Sequence, residues 1–276
     1  MTMLSPYSRI AVLGGGAWGT ALAIAAINAG RDTILWAREA DVVADIAEYH
    51  ENKRFLLGVA LPKSLAVTGT LTEAVQADAV LLAAPAQVLG DFAQQLAPLI
   101  AGGTPLVICA KGIEKNSGRL VNEVVADAIP QAAIAILSGP SFARDVAKGL
   151  PTAVTIAAEG DVAERLQASL SSLAFRPYAS DDITGVALGG AAKNVYAIAC
   201  GVVEGLGLGE NARAALLARS FAELSRLGEH LGAKRETLMG LSGLGDLVLT
   251  ATSASSRNFS SGMELRALAG DVADQS

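Results

Sequence analysis

The side chains best equipped for chemistry in this chain are lysines and carboxylates. The stretch "ALGGAAKNVYAIACGV", Ala187 to Val202, sets Lys193 in the middle of a small-residue, apolar helix pattern, with Asn194 beside it. Burying an ammonium without a partner is costly, because desolvation disfavours the charged form. Two readings fit: a lysine whose stem packs while its head reaches water, or a group kept for moving a proton. Lys111, in "CAKGIE", follows an apolar run at a strand end, and Gly112 behind it leaves room for a small molecule near the backbone. Asp246 closes "LSGLGD", a glycine turn that presents a carboxylate among apolar residues and is suited to hold and orient a lysine. Ser256, Arg257 and Asn258 put a hydroxyl, a guanidinium and an amide in a row, a set suited to a phosphate. Taken singly, each of these later segments also reads as a plain turn. His50 and His230 are the whole histidine supply and read as solvated helix-surface residues, so proton transfer by imidazole lacks a candidate.

A second kind of site lies near the start. "AVLGGGAWGTALA" contains Gly14-x-Gly16-x-x-Gly19 between a strand pattern and a helix pattern. In that context the first glycine permits a tight turn, the second lets backbone approach a pyrophosphate, and the third lets the helix pack on the strand. The helix N-terminus then offers unpaired amides to negative charge. About twenty residues on, where an acidic residue commonly meets the ribose of NAD, "LWAREA" places Arg38 with Glu39 behind it. Arg38 favours NADP(H) through its 2′-phosphate; NAD(H) stays open because Glu39 could turn inward, and the pair also reads as an ordinary solvated helix start. Farther along, "LSGPSFA" puts Ser138, Gly139 and Ser141 at a strand end, where amides and a hydroxyl can hold a small oxygenated molecule, although Ser141 equally reads as a helix N-cap.

Positioning these groups requires a sheet whose strand ends face one crevice. Short apolar runs at Ile10–Leu13, Thr33–Trp36, Ala79–Ala83, Leu106–Cys109 and Ile134–Leu137 alternate with helix-period segments, and "PTAVTIAA" and "FRPYAS" add two more strand patterns. That alternation predicts an α/β fold with a doubly wound, mostly parallel sheet of the Rossmann type, whose ligands bind outside the carboxyl ends of the strands. Beyond Ser180 the pattern turns long-helical, with amphipathic spacing in "ARAALLARSFAELSRLGEHLGA". The expected organisation is therefore a dinucleotide-binding domain over 1–180 and an all-α substrate-binding domain over 181–276.

Composition agrees with that reading. Half the residues are hydrophobic, aromatics are scarce, and Ala, Gly, Leu and Val suit helices packed closely on a parallel sheet. A net charge of −6 gives no basic footprint for nucleic acid. The uncharged stretch between Arg9 and Arg31 is broken early by Gly14–Gly16 and followed by a strand pattern, so it is expected to be neither signal peptide nor membrane span. Cys109 and Cys200 sit in apolar runs, with no disulfide framework or zinc spacing, which points to a reducing, cytoplasmic setting and no metal site.

Taken together, "GGGAWGTALA", "AKGIE", "SGPSFA", "GGAAKNVYAIACG", "GLGDLVLT" and "SRN", in this order and at these intervals, resemble the bacterial NAD(P)-dependent glycerol-3-phosphate dehydrogenases over about Arg9 to Gly262. The resemblance implies reversible reduction of dihydroxyacetone phosphate to sn-glycerol 3-phosphate in the cytoplasm, feeding glycerophospholipid synthesis, with a homodimer compatible. It places the proton donor and acceptor on Lys193. It places substrate contacts on Lys111, Gly139, Ser141, Lys193, Asp246, Ser256, Arg257 and Asn258, with Lys111 and Asp246 assisting the chemistry. Cofactor contacts fall on Ala17, Trp18, Arg38, Lys111, Ala143 and Arg257, beside Gly14, Gly16 and Gly19. Relative to the family pattern, the helical domain is expected to be short at its C-terminal end, without a stretch that includes a cofactor-holding glutamate. Two alternatives stay open on the sequence: a 3-hydroxyacid-type dehydrogenase, which also carries a lysine and an asparagine on a helix, and a nucleotide-binding protein without turnover.

Overall fold

The computed structural model describes residues 4–273, with side chains described to residue 265. The first half alternates as the hydrophobic runs require: β1 (Arg9–Leu13), α1 (Ala17–Asn28), β2 (Asp32–Trp36), α2 (Ala40–Tyr49), β3 (Ala66–Thr68), α3 (Leu71–Ala74), β4 (Ala79–Leu82), α4 (Leu89–Leu96), β5 (Pro105–Ile108), α5 (Val121–Ala128), β6 (Ala133–Ser138), α6 (Ala143–Ala147), β7 (Thr152–Ala158), α7 (Val162–Leu170) and β8 (Phe175–Ser180). The eight strands form one sheet in the order β3-β2-β1-β4-β5-β6-β7-β8. β1 pairs in parallel with β2 on one side and β4 on the other, so the winding reverses at β1, and the ligand crevice of such sheets opens at that switch point. The central strands are buried on both faces, which is why their sequences run apolar without alternation: every residue of β4 and β5 is buried.

The doubly wound sheet is the one the alternation predicts. β3 has no counterpart in the predicted strands: its three residues pair with Ile34–Trp36 at the sheet edge, and Ala66 is exposed, so no apolar run marks it. His50 also differs from its expected place on a helix surface. It closes α2 in the left-handed conformation, at φ 52°, the one non-glycine residue with positive φ among those described.

The remaining elements are helical: α8 (Ile183–Gly205), α9 (Gly209–His230), α10 (Arg235–Met239), α11 (Asp246–Ala251) and α12 (Arg257–Ala273). Gly207, at positive φ, separates α8 from α9, and Gly209, also at positive φ, opens α9. By its packing the chain divides into two compact units, Met1–Leu137 with Ser141–Ile183, and Ser138–Pro140 with Thr184–Ser276. In the second unit α8 is the spine. It is long and apolar enough to cross a membrane by composition, but half of that stretch is buried inside the protein, as expected of a core helix. Its small residues have a packing reason. A Cβ on Gly189 would lie 2.6 Å from the Ser242 carbonyl oxygen, and one on Gly201 would lie 2.0 Å from that of Phe259 in α12. At both positions the room left by the missing side chain is filled by backbone of the same unit.

Candidate functional site

In the first unit the glycine loop joins β1 to α1. Gly14 takes φ +138°, and a Cβ there would meet the Ala83 backbone at 2.9 Å, so the turn needs glycine twice over. A Cβ on Gly19 would lie 1.9 Å from the Gly14 carbonyl oxygen, which is the close helix–strand packing that this position requires. Gly16 differs from both: a Cβ there meets nothing within 4 Å, and its backbone caps α1 in extended conformation. A position that needs no glycine for packing, yet leaves bare backbone at a helix N-terminus, fits a pyrophosphate approaching the amides. Ala17 opens α1 behind it. Trp18 packs half-buried on the core, and its indole N–H meets no acceptor among the described residues.

Two residues that hold this loop carry no signal in the sequence. Gly15 lies so close to β2's end that a Cβ would be 2.5 Å from the Ala37 side chain. Asn52 is fully buried. Its Nδ2 donates to the Gly15 carbonyl and to Thr20 Oγ1, both at 2.8 Å, while its Oδ1 accepts from the Phe55 N–H. Nothing around Asn52 in sequence announces this, since its partners in the loop and α1 lie more than thirty residues earlier.

The other strand ends of this unit carry the remaining expected groups. Arg38 follows β2, is largely exposed and pairs with Glu39 at 2.8 Å. Lys111 sits three residues past β5, half-buried. Its charge partly offsets the effect of burial on Cys109, whose thiol is pushed far above the ordinary range. Gly112 has a packing reason beside the expected one, because a Cβ there would lie 3.0 Å from that of Ala86 after β4. Ser141 lies two residues before α6, whose cap position is Phe142 and whose first helical residue, Ala143, packs on the core.

The second unit assembles the charged cluster. Asp246 is the first residue of α11, delivered by a π-helical turn over Leu241–Gly245 that the Gly245 N–H closes on the Gly240 carbonyl at 3.0 Å. That turn packs on α8 at Gly189, one helical turn before Lys193, which places lysine and aspartate on facing surfaces. Lys193 Nζ donates to Asp246 Oδ1 at 2.9 Å and to Thr250 Oγ1 at 3.0 Å, and Thr250 Oγ1 donates in turn to Asp246 Oδ1 at 3.3 Å. The side chains of Lys193 and Asp246 are 13% and 1% exposed. Head and stem are thus both held inside the unit, which excludes the snorkelling alternative. Thr250, absent from the expected site, stands four residues after Asp246 on one helix face, a spacing that could have exposed it.

Beside this triad, Asn258 Nδ2 donates to Asn194 Oδ1 at 2.7 Å and ties the start of α12 to the neighbour of Lys193. Ser256 Oγ accepts from the Phe259 N–H at 3.3 Å and so caps α12, while Arg257 is exposed in the first turn with no ion pair among the described residues. Gly139, at φ +152°, belongs to this unit's short Ser138–Pro140 segment, and Pro140 lies 3.7 Å from where a Cβ on Gly245 would be. Replacing Ser256 by Ala is expected to cost about 1 kcal/mol of stability through the lost cap. Urea unfolding followed by circular dichroism would read this, and an unchanged midpoint would remove the cap.

A sheet reversed at β1, with a glycine cradle there and a helical unit carrying a paired lysine, defines the class of Rossmann-type, nucleotide-linked dehydrogenases. Within that class the assignment is narrower. Residues 9–163 match the signature described as NAD-dependent glycerol-3-phosphate dehydrogenase N-terminus, and residues 182–274 match the corresponding C-terminus. The chain belongs to the NAD-dependent glycerol-3-phosphate dehydrogenase family. It is 58% identical over 264 residues to the glycerol-3-phosphate dehydrogenase [NAD(P)+] of Parvibaculum lavamentivorans, covering 95% of this chain and 79% of that one. It is also 58% identical over 259 residues to that of Rhodospirillum rubrum, covering 93% and 74%. Among solved structures, the glycerol-3-phosphate dehydrogenase of Coxiella burnetii superposes with a TM-score of 0.88 at 41% identity, over 94% of this chain and 80% of that one.

Proposed function

We propose that this enzyme interconverts dihydroxyacetone phosphate and sn-glycerol 3-phosphate with NAD(P)(H), with Lys193 moving the proton. The observation that carries the assignment to Lys193 is its burial between Asp246 and Thr250 beside the Asn194–Asn258 brace. When bound, the nicotinamide supplies or accepts the hydride at the substrate's C2. The alkoxide that develops in the reducing direction needs a proton, and Lys193 Nζ gives it; in the oxidising direction the neutral amine takes the proton back from the hydroxyl. Asp246 and Thr250 fix the ammonium in place. Arg257, with the Ser256 hydroxyl and the Asn258 amide, takes the phosphate, and the bare backbone at Gly139 together with Ser141 and Lys111 contacts the rest of the substrate. Gly14, Gly16, Ala17, Trp18 and Gly19 would hold the dinucleotide, with Arg38, Lys111, Ala143 and Arg257 as further residues that would contact it. The product places the enzyme at the entry to glycerophospholipid synthesis. Two buried, unpaired thiols support a cytoplasmic setting.

The reading that competes is a dehydrogenase of unphosphorylated hydroxyacids, and Arg257 separates the two. Arg257→Ala is expected to raise KM for dihydroxyacetone phosphate by roughly 10- to 100-fold, the scale of lost charge-assisted hydrogen bonds. KM for unphosphorylated dihydroxyacetone should hardly move. Equal effects on both substrates in a coupled NADPH absorbance assay would favour the rival.

A further inference from the structure

Asn52 reaches the glycine loop from a segment that is closed on itself. Between α2 and β3, Glu51 bridges Ala60 in antiparallel fashion, the Leu61 N–H donates to the His50 carbonyl at 2.9 Å, and Leu56, Val59 and Leu61 are buried. Asn52 thus projects from a fixed base. Its orientation follows from its partners: the Nδ2 side faces two oxygens, and Oδ1 faces the Phe55 N–H at 3.1 Å. Of the two oxygens, the Gly15 carbonyl is the one that shapes the loop. Thr20 Oγ1, the other, accepts from Asn52 and donates to that same carbonyl over a long 3.5 Å bond, so the carbonyl is held from the buried side. The Gly16 N–H belongs to the same trans peptide and points the opposite way, out of the core.

We infer that Asn52 is a positioning residue for the dinucleotide: by holding the Gly15 carbonyl inward, it keeps the Gly16 N–H aimed at the pyrophosphate. The inference rests on the proposed seat of the dinucleotide. A peptide between two glycines is the kind that turns over, because no side chain on either flank resists it. Gly15 itself is pressed against β2's end, where a Cβ would lie 2.5 Å from the Ala37 side chain, but Gly16 sits at φ −68° with open space around it. Turning the 15–16 peptide over would carry Gly16 toward positive φ, which glycine adopts without strain, and would present a carbonyl oxygen to the phosphates in place of an N–H. The packing around Gly16 does not oppose that. Asn52 and Thr20 do, because the inverted peptide would leave an Asn52 N–H and the Thr20 O–H buried and unpaired.

The test is direct binding of NADPH without substrate, read by nicotinamide fluorescence, beside steady-state kinetics. Asn52→Asp keeps the acceptor for the Phe55 N–H and removes both donors, whereas Asn52→Leu has similar bulk and no charge. Each is expected to raise Kd for NADPH roughly 10- to 100-fold, the range of one hydrogen bond to a charged group, while kcat at saturating NADPH and KM for dihydroxyacetone phosphate stay within about twofold. Thr20→Val is the structural control: it removes the hydroxyl and its long bond to Gly15 but leaves that carbonyl on Asn52 Nδ2, so it should lower the urea midpoint and hardly move Kd. A folded Asn52→Leu enzyme that binds NADPH as the native chain does would overturn the inference. So would a Thr20→Val enzyme weakened to the same degree, since fold stability would then explain both. If only Asn52→Asp lost affinity, its new charge would be the cause and the inference would fall. A native chain that binds NADPH without turning over dihydroxyacetone phosphate would strike the catalytic reading alone, because the Kd series does not depend on turnover. A native chain that binds no dinucleotide would overturn both.

Discussion

Lys193→Ala is expected to lower kcat with dihydroxyacetone phosphate by roughly 10² to 10⁴, the range of a lost general acid, while Kd for NADPH stays within about twofold. The expectation follows from how the ammonium is held. Asp246 Oδ1 and Thr250 Oγ1 fix Nζ on the α11 side, and an ammonium is a triple donor that can hand a proton to a developing alkoxide without leaving them. Removing the amine leaves hydride transfer without a proton at the right place. Neither His50, which ends α2, nor His230, which ends α9, stands in for it. Lys193→Arg separates charge from proton transfer: guanidinium stays cationic at any working pH, so substrate affinity should partly return while kcat does not. A Lys193→Ala enzyme with near-native kcat would remove this residue from the mechanism.

How much of this could be read beforehand depends on whether the cause is local. Gly14, Gly16 and Gly19 carry the tight turn, the bare helix N-terminus and the helix–strand contact at a fixed six-residue spacing, although Ala83 from far along the chain also crowds Gly14, and the buried strands are apolar because both faces are covered, so loop and sheet were legible. Gly15 and Asn52 were not, because what constrains them, Ala37 and the loop itself, comes from far along the chain. β3 is too short and too exposed to leave a pattern. The small residues of α8 were visible but not what they touch: the 241–245 turn at Gly189, and α12 at Gly201 and at Gly205, where a Cβ would lie 2.7 Å from the Met263 carbonyl oxygen. Spacing alone could not say whether Lys193 meets Asp246, fifty-three residues on, since that depends on a π-helical turn that no local propensity announces.

Asp246→Leu should destabilise the fold more than Ser256→Ala or Lys193→Ala, costing about 3–5 kcal/mol, because it takes the carboxylate from a largely buried ammonium and leaves Thr250 as a neutral acceptor in its place. The same reasoning makes a sharper forecast for the double variant. A buried ion pair gains little over apolar packing of similar volume, since each charge has already lost its water, so Lys193→Met combined with Asp246→Leu should recover most of the lost stability. Turnover should stay at the level of the lysine variant alone. Urea unfolding and kcat, measured on both single variants and the double, give a cycle in which stability couples strongly and activity does not recover at all. If the double variant were as unstable as Asp246→Leu, the cost would lie in the shape of the α8–α11 contact, and the aspartate would count as packing. If it is restored yet inactive, the pair is retained in this core for what Lys193 does when Asp246 holds it, because stability alone would be served as well by two apolar side chains.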